Sequence, residues 1–111
     1  MNGFEFLDQE VGLEYCAGDE EIYLEVLEGY LEEDRREELA KNFAEQDLAA
    51  YRVSAHAIKS TSLTIGATEL SAKAKALEYA AADGDLDFIK EHNDELIAMY
   101  SDILEKIKAA L

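Results

Sequence analysis

The fold of this protein is decided by a stretch near the middle of the chain, AHAIKSTSLTIGA at residues 55–67. At about 100° per residue, the sequence around this stretch divides into two rows on a helix. One row has the three-and-four spacing of a core-facing stripe; its members are Leu48, Tyr51, Ala55, Ile58, Ser62 and Ile65. The second row lies roughly 120° round from the first. Its members are Ala49, Val53, His56, Ser60 and Leu63.

Because His56 belongs to the second row, we expect its ring on a flank that water or a partner can reach. Imidazole is a good nucleophile near neutral pH, since much of it is unprotonated there. A histidine that accepts a phosphoryl group also needs nearby positive charge, which Lys59 can supply from one helical turn away. Ser60 is small and leaves room for another protein. Gly66 is suited to ending the helix or to letting a neighbour come close.

The motif His56-x-x-Lys59-Ser60, followed by Ile65-Gly66-Ala67, resembles the signature of histidine-containing phosphotransfer (HPt) domains. The family usually has glycine at the position of Ser60, and serine is also small. The resemblance extends over nearly the whole chain. Further matching features are the Gly18-Asp19 helix start, the Leu77-Glu78 pair and the Gly84-Asp85 turn.

The resemblance implies that Nε2 of His56 accepts a phosphoryl group from a receiver-domain aspartate and passes it to another receiver. It also implies that Glu78 orients the ring by accepting a hydrogen bond from Nδ1–H, although a plain surface charge is an equal alternative for this residue. The protein would be a phosphoryl carrier rather than an enzyme. It would need no cofactor of its own, with Mg²⁺ expected on the partner receiver. The predicted docking patch consists of Ala49, Val53, Ser60 and Leu63.

Helix signals elsewhere predict an all-α protein, since the chain has no proline and only 6 glycines. Aspartates are predicted to begin the helices as N-caps; they are Asp8, Asp19, Asp47 and Asp85. A short first helix would precede four long ones. The first of these four, the second helix of the chain, is expected to run from Glu20 as far as Glu45. Long helices joined by short turns predict an antiparallel up-and-down four-helix bundle with a short extra N-terminal helix. The charged run at 31–38 leaves open whether the second helix bends near residues 33–36.

Length and charge restrict the class of protein and its partners. The chain has 111 residues, which suits a single domain over 1–111. A formal net charge of −16 argues against nucleic acid and against an anionic membrane surface as partners. No apolar run approaches the length of a membrane span, and one cysteine, Cys16, fits a reducing compartment. We therefore expect a cytoplasmic monomer.

No metal site is predicted. A two-metal bundle would use Glu-x-x-His pairs, yet Val53 and Ile89 stand three residues before the histidines. The aspartates of residues 83–87 begin like a calcium loop, but Phe88 and Asp94 stand where that loop needs Gly and Glu. The second histidine, His92, has no comparable setting, and we expect it in solvent.

Three functions remain open at the level of the sequence. The leading hypothesis is a phosphorelay carrier that works with response-regulator receiver domains or a hybrid histidine kinase. The alternative is a helical module that binds a receiver or a histidine kinase without carrying phosphate. A weaker hypothesis is a structural dimerisation unit.

Overall fold

The computed structural model describes residues 3–111, which contain helices and no strand. The helices are α1 (Gln9–Tyr15), α2 (Glu20–Glu32), α3 (Arg36–Ala44), α4 (Leu48–Thr64), α5 (Thr68–Ala82) and α6 (Leu86–Ala110). The prediction of an all-α protein is confirmed. None of these helices combines the length and the apolar character needed to cross a membrane.

The predicted aspartate caps all begin helices. Their side chains accept hydrogen bonds from backbone N–H groups of the first turn: Asp8 from Val11, Asp19 from Glu21 and Ile22, Asp47 from Ala50, and Asp85 from Phe88. Each such cap stabilises its helix by about 1 kcal/mol relative to alanine. The starts of α1, α2, α4 and α6 are thus set by bonds within three residues.

The predicted second helix is interrupted at residues 33–35, so the described chain has six helices rather than five. The hydroxyl of Tyr100, from α6, accepts a hydrogen bond from the Arg35 N–H at 3.1 Å. The same hydroxyl lies 3.5 Å from the Glu33 carbonyl, to which it donates. These bonds satisfy backbone groups that a helix end leaves without intrahelical partners. The break is therefore supported by a residue far away in the sequence.

Both α2 and α3 lie along α4. Hydrogen bonds pair rising residue numbers in α2 and α3 with falling numbers in α4: Tyr23 with Ile65, Tyr30 with Ser62, and Glu38 with Ser54. The segment from α2 to α3, taken as a whole, therefore runs antiparallel to α4. The predicted core stripe of α4 faces inward as expected, except that Leu48, its first helical residue, is only half-buried.

Gly66 joins α4 to α5 and holds the N-terminal segment against that turn. Its backbone has φ 86°, a conformation that L side chains rarely adopt. Its carbonyl accepts a hydrogen bond from the Asp8 N–H at 2.8 Å, and a Cβ at Gly66 would collide with the Asp8 carbonyl. Phe4 and Leu7, just before Asp8, are buried. The expectation of a structural Gly66 thus has a steric basis.

Gly29, within α2, has no steric constraint of the kind found at Gly66. A Cβ built there meets no atom within 4 Å. A glycine inside a helix destabilises it by roughly 0.5–1 kcal/mol relative to alanine. The fold of this chain gives no steric reason for Gly29.

Candidate functional site

Glu78 connects the two basic side chains of the motif. His56 and Lys59 project from α4 towards α5, which carries Glu78. Nδ1 of His56 lies 2.8 Å from Oε2 of Glu78. Nζ of Lys59 lies 2.8 Å from Oε1 of the same carboxylate. One carboxylate therefore holds both side chains, one by each oxygen.

The site combines a buried anchor with an exposed ring. The Glu78 side chain is 9% exposed, whereas that of His56 is 58% exposed. When the Nδ1–H group donates a hydrogen bond to Glu78, the free lone pair of the neutral imidazole is on Nε2. Within residues 3–111, Nε2 has no hydrogen-bond partner, so a nucleophilic nitrogen on the open side of the ring is available to a visiting molecule.

The charge of Glu78 is maintained by its two partners. Burial acts to raise the pKa of this carboxyl group, but the hydrogen bonds from Lys59 and His56 together outweigh burial and leave the pKa below its ordinary value. Glu78 therefore stays ionised near neutral pH. An ionised carboxylate is the form that accepts a hydrogen bond from Nδ1–H.

Lys59 is more constrained than the sequence indicated. Its side chain is 23% exposed, and its ammonium group is paired with Glu78. The positive charge expected from Lys59 is therefore already paired with a carboxylate in this structure. The flexible stem of lysine allows Nζ to leave one partner for another nearby anion.

The predicted docking residues share the outer side of α4 with His56. Ala49 and Ser60 are exposed, Val53 is 68% exposed and Leu63 is 38% exposed. We call the surface of Ala49, Val53, His56, Ser60 and Leu63 the α4 face. It offers small and apolar groups on both sides of the imidazole, a composition suited to contact with another protein.

Two neighbours of the site were not singled out by sequence reasoning. Tyr79, which follows Glu78 in α5, is 55% exposed, and Nζ of Lys75 lies 5.7 Å from the centre of its ring. Arg52 is exposed on α4 four residues before His56. The four-residue spacing of Arg52 from His56 could have predicted that both side chains lie on the same side of α4. The exposure of Tyr79 depends on how α5 packs, which its local sequence does not specify.

His92 lies outside this site, and the expectation that it is solvated is wrong in part. It is half-buried in α6, with its ring centre 4.2 Å from that of Phe88. Its Nδ1 accepts a hydrogen bond from Lys73 at 2.8 Å, and the same ammonium pairs with Glu95 at 2.9 Å. The ammonium group of Lys73 is thus bonded to side chains of α6 and not to the groups beside His56.

Charge is distributed unevenly between the helices that flank the site. In a chain of net charge −16, α4 has no acidic residue and two basic ones, Arg52 and Lys59. The adjacent α2 has five glutamates and no basic residue. An anion approaching the His56 side of α4 therefore meets less repulsion than elsewhere on the protein. Across residues 3–111, no three His, Cys, Asp or Glu side chains converge as a metal site would require.

Comparison with known families identifies the class of protein. The family model of the Hpt domain matches residues 23–106, a range that includes His56, Lys59 and Glu78. The match covers well over half of the chain, so the chain belongs to the Hpt domain family, as the motif resemblance predicted. Hpt domains in general are phosphocarriers of two-component signalling that interact with receiver domains and kinases. Neither the curated proteins nor the solved structures give a match to this sequence.

Proposed function

We propose that this protein is a histidine phosphotransfer protein of a phosphorelay, which accepts a phosphoryl group on His56 from one receiver and passes it to another. The observation that carries the proposal is the hydrogen bond between buried Glu78 and Nδ1 of exposed His56. It leaves Nε2 as the free nucleophile on a surface that a receiver can cover. Each receiver supplies Mg²⁺, and this chain supplies no cofactor.

The transfer step needs few groups from this chain. The lone pair of Nε2 attacks phosphorus in line, the N–P bond forms, and the P–O bond to the receiver aspartate breaks. The aspartate leaves as a carboxylate, while the ring becomes positively charged with its Nδ1–H bonded to Glu78. The reverse reaction passes the group to the second receiver. Positioning and charge account for such catalysis, as in other phosphoryl transfers.

We assign Lys59 to the phosphoryl oxygens. In the resting protein its ammonium pairs with Oε1 of Glu78. A phosphoryl group on Nε2 brings a second anion close to this ammonium. Lys59 then neutralises part of the added charge, while Glu78 keeps its bond to Nδ1.

Replacing Lys59 with alanine should slow transfer from a phosphorylated receiver about tenfold, equivalent to ~1.4 kcal/mol in the barrier. The reason is the lost compensation of phosphoryl charge. Initial rates of labelling measure the effect, and circular dichroism should show unchanged helical content. Lys75→Ala, which removes a cation on the neighbouring helix, should leave the rate near that of the wild type. Loss of helicity in Lys59→Ala would instead assign Lys59 a structural role.

Glu78 should make the stability of the fold depend on pH. Its pKa is lowered in the folded protein, so the ionised group stabilises the fold above its ordinary pKa. This stabilisation is lost as pH falls through the folded pKa. Urea denaturation should therefore show the advantage of the wild type over Glu78→Gln in free energy of unfolding shrinking as the pH falls from about 5 through the ordinary pKa of glutamate and below. An advantage that stays constant over this range would contradict an ionised, paired Glu78.

We further propose that residues 1–111 form one domain with an up-and-down four-helix bundle, in which α2 and α3 together take the place of one long helix. The antiparallel course of α2 and α3 along α4 supports this arrangement. We propose that the domain works as a monomer in the cytoplasm.

The function is tested by incubating the wild-type protein with each aspartyl-phosphorylated receiver domain of its source organism. At least one receiver should pass its label to the protein, and mass spectrometry should place the phosphate on His56. If every receiver that binds the protein fails to transfer its label, the result would favour the alternative of an interaction module that carries no phosphate.

A further inference from the structure

A groove between α2 and α4 opens beside the α4 face. Its volume is about 240 Å³, smaller than the ~300–1,000 Å³ of typical small-molecule sites. Val26 and Gly29 form the α2 wall, and Thr61, Thr64 and Ile65 form the α4 wall. The groove is thus suited to one protruding side chain, and its walls are mainly apolar or carry methyl groups.

Gly29 lines this groove without placing a side chain in it. The space beside its Cα is open, since a Cβ built there meets nothing within 4 Å. Any side chain at this position would project into that space. The glycine weakens α2 without relieving any contact inside the chain, and the space beside it is open to a group from outside.

The groove and the proposed transfer surface form one continuous area. Thr64, on the groove wall, lies one helical turn after Ser60 of the α4 face, and its hydroxyl donates to the Ser60 carbonyl at 2.9 Å. A partner that covers His56 therefore extends over the groove if its contact reaches one helix further. Such a partner would meet apolar surface on α4 and glutamates on α2.

The charges around the groove indicate the chemistry of that partner. Glu33 lies at the groove itself, and α2 presents exposed glutamates at 25, 28 and 32. Arg35, just beyond α2, pairs with Glu33 at 3.6 Å, whereas α2 itself has no basic residue to balance these three exposed glutamates. An acidic partner surface next to this helix would be repelled and a basic one attracted, because opposite charges on two proteins speed and orient their association.

We propose that the groove at Gly29 is a specificity pocket for the receiver domain, which inserts one apolar side chain flanked by lysine or arginine residues. This inference rests on the proposed function, because it assigns a second contact to the same partner. The apolar side chain fills the space beside Gly29, and the basic residues lie over the glutamates of α2. Receivers that lack this combination dock poorly and exchange phosphate slowly with His56.

Replacing Gly29 with leucine would fill the groove without altering the site at His56. Gly29→Leu should fold with a melting temperature no lower than that of the wild type, because leucine favours the helix and the space is open. Transfer from the receiver that labels the wild type fastest should fall at least tenfold in kcat/KM. Labelling by phosphoramidate, a small donor that needs no docking, should be unchanged. Ala98→Leu adds the same side chain at an exposed position of α6 outside the groove and should change neither rate.

A second variant and a salt series complete the experiment. Thr64→Leu narrows the groove from the α4 wall, and it replaces Gly29→Leu as the test if that variant melts early. Added salt should slow transfer from the receiver, because it screens the basic residues from α2; the phosphoramidate reaction provides the reference.

The outcomes separate this inference from the proposed function. Equal transfer by the wild type and the groove-filled variant would overturn the pocket and leave the carrier intact. Transfer that is insensitive to salt would overturn the basic partner. A wild-type protein labelled neither by receivers nor by phosphoramidate would instead count against phosphate transfer through His56.

Discussion

Replacing His56 with glutamine should reduce labelling by phosphorylated receivers below detection. Glutamine has no nucleophilic ring nitrogen, so the N–P bond cannot form. Its amide N–H can still donate to Glu78, and the position is exposed, so the fold and the receiver contact should persist. Transfer of radiolabelled phosphate measures the effect. Circular dichroism and a receiver-binding titration show whether the variant remains intact.

The second histidine provides the matched control. His92 is half-buried in α6 and bonded to Lys73, away from Glu78. His92→Gln should therefore retain the labelling rate of the wild type. Label that survived in His56→Gln and disappeared in His92→Gln would move the acceptor to α6 and end the assignment of His56.

Replacing Gly66 with alanine should produce the largest loss of stability among the changes considered. The left-handed conformation costs a non-glycine residue about 1–2 kcal/mol, and overpacking costs typically about 1–3 kcal/mol. Both apply here, because φ is 86° and the new Cβ would collide with the Asp8 carbonyl. We expect the free energy of unfolding to fall by ~2–5 kcal/mol. That is a large share of the ~5–15 kcal/mol that stabilises a typical domain.

A matched substitution at Gly84 measures the backbone strain separately from the collision. The φ of Gly84 is 72°, but a Cβ there meets nothing within 4 Å. Gly84→Ala therefore carries the backbone strain alone, and urea denaturation should show a loss of about 1–2 kcal/mol. Equal losses in the two variants would mean that the collision with the Asp8 carbonyl adds no cost to that of the backbone strain.

Features that depend on neighbouring residues could be predicted from the sequence. The cap at Asp47 and the two rows of α4 follow from bonds within three residues and from the helical period. The same period placed His56 on an exposed row, where the structure has it. Family resemblance added Glu78 as a partner for Nδ1, and the structure places the two side chains 2.8 Å apart. Their roles in phosphate transfer remain predictions.

Features that depend on contacts between residues far apart in the chain could not be predicted from the sequence. The break at residues 33–35 is supported by Tyr100, which is remote in sequence. The pairing of Lys59 with Glu78 depends on the register between α4 and α5, and helical periodicity does not fix that register. His92 appeared solvated because its immediate neighbours are polar, but Lys73 from α5 covers its Nδ1.

The contact between Asp8 and Gly66 bears on how α4, the helix that carries His56, can be isolated. The family match begins at Tyr23, so a fragment cut to that boundary would lack the backbone bond that Asp8 makes to the α4–α5 turn. It would also lose the apolar cover that Phe4 and Leu7 provide. The turn that joins the helix of His56 to the helix of Glu78 would then lose one of the bonds that fix it. The smallest fragment suitable for studying His56 chemistry therefore begins well before the family boundary.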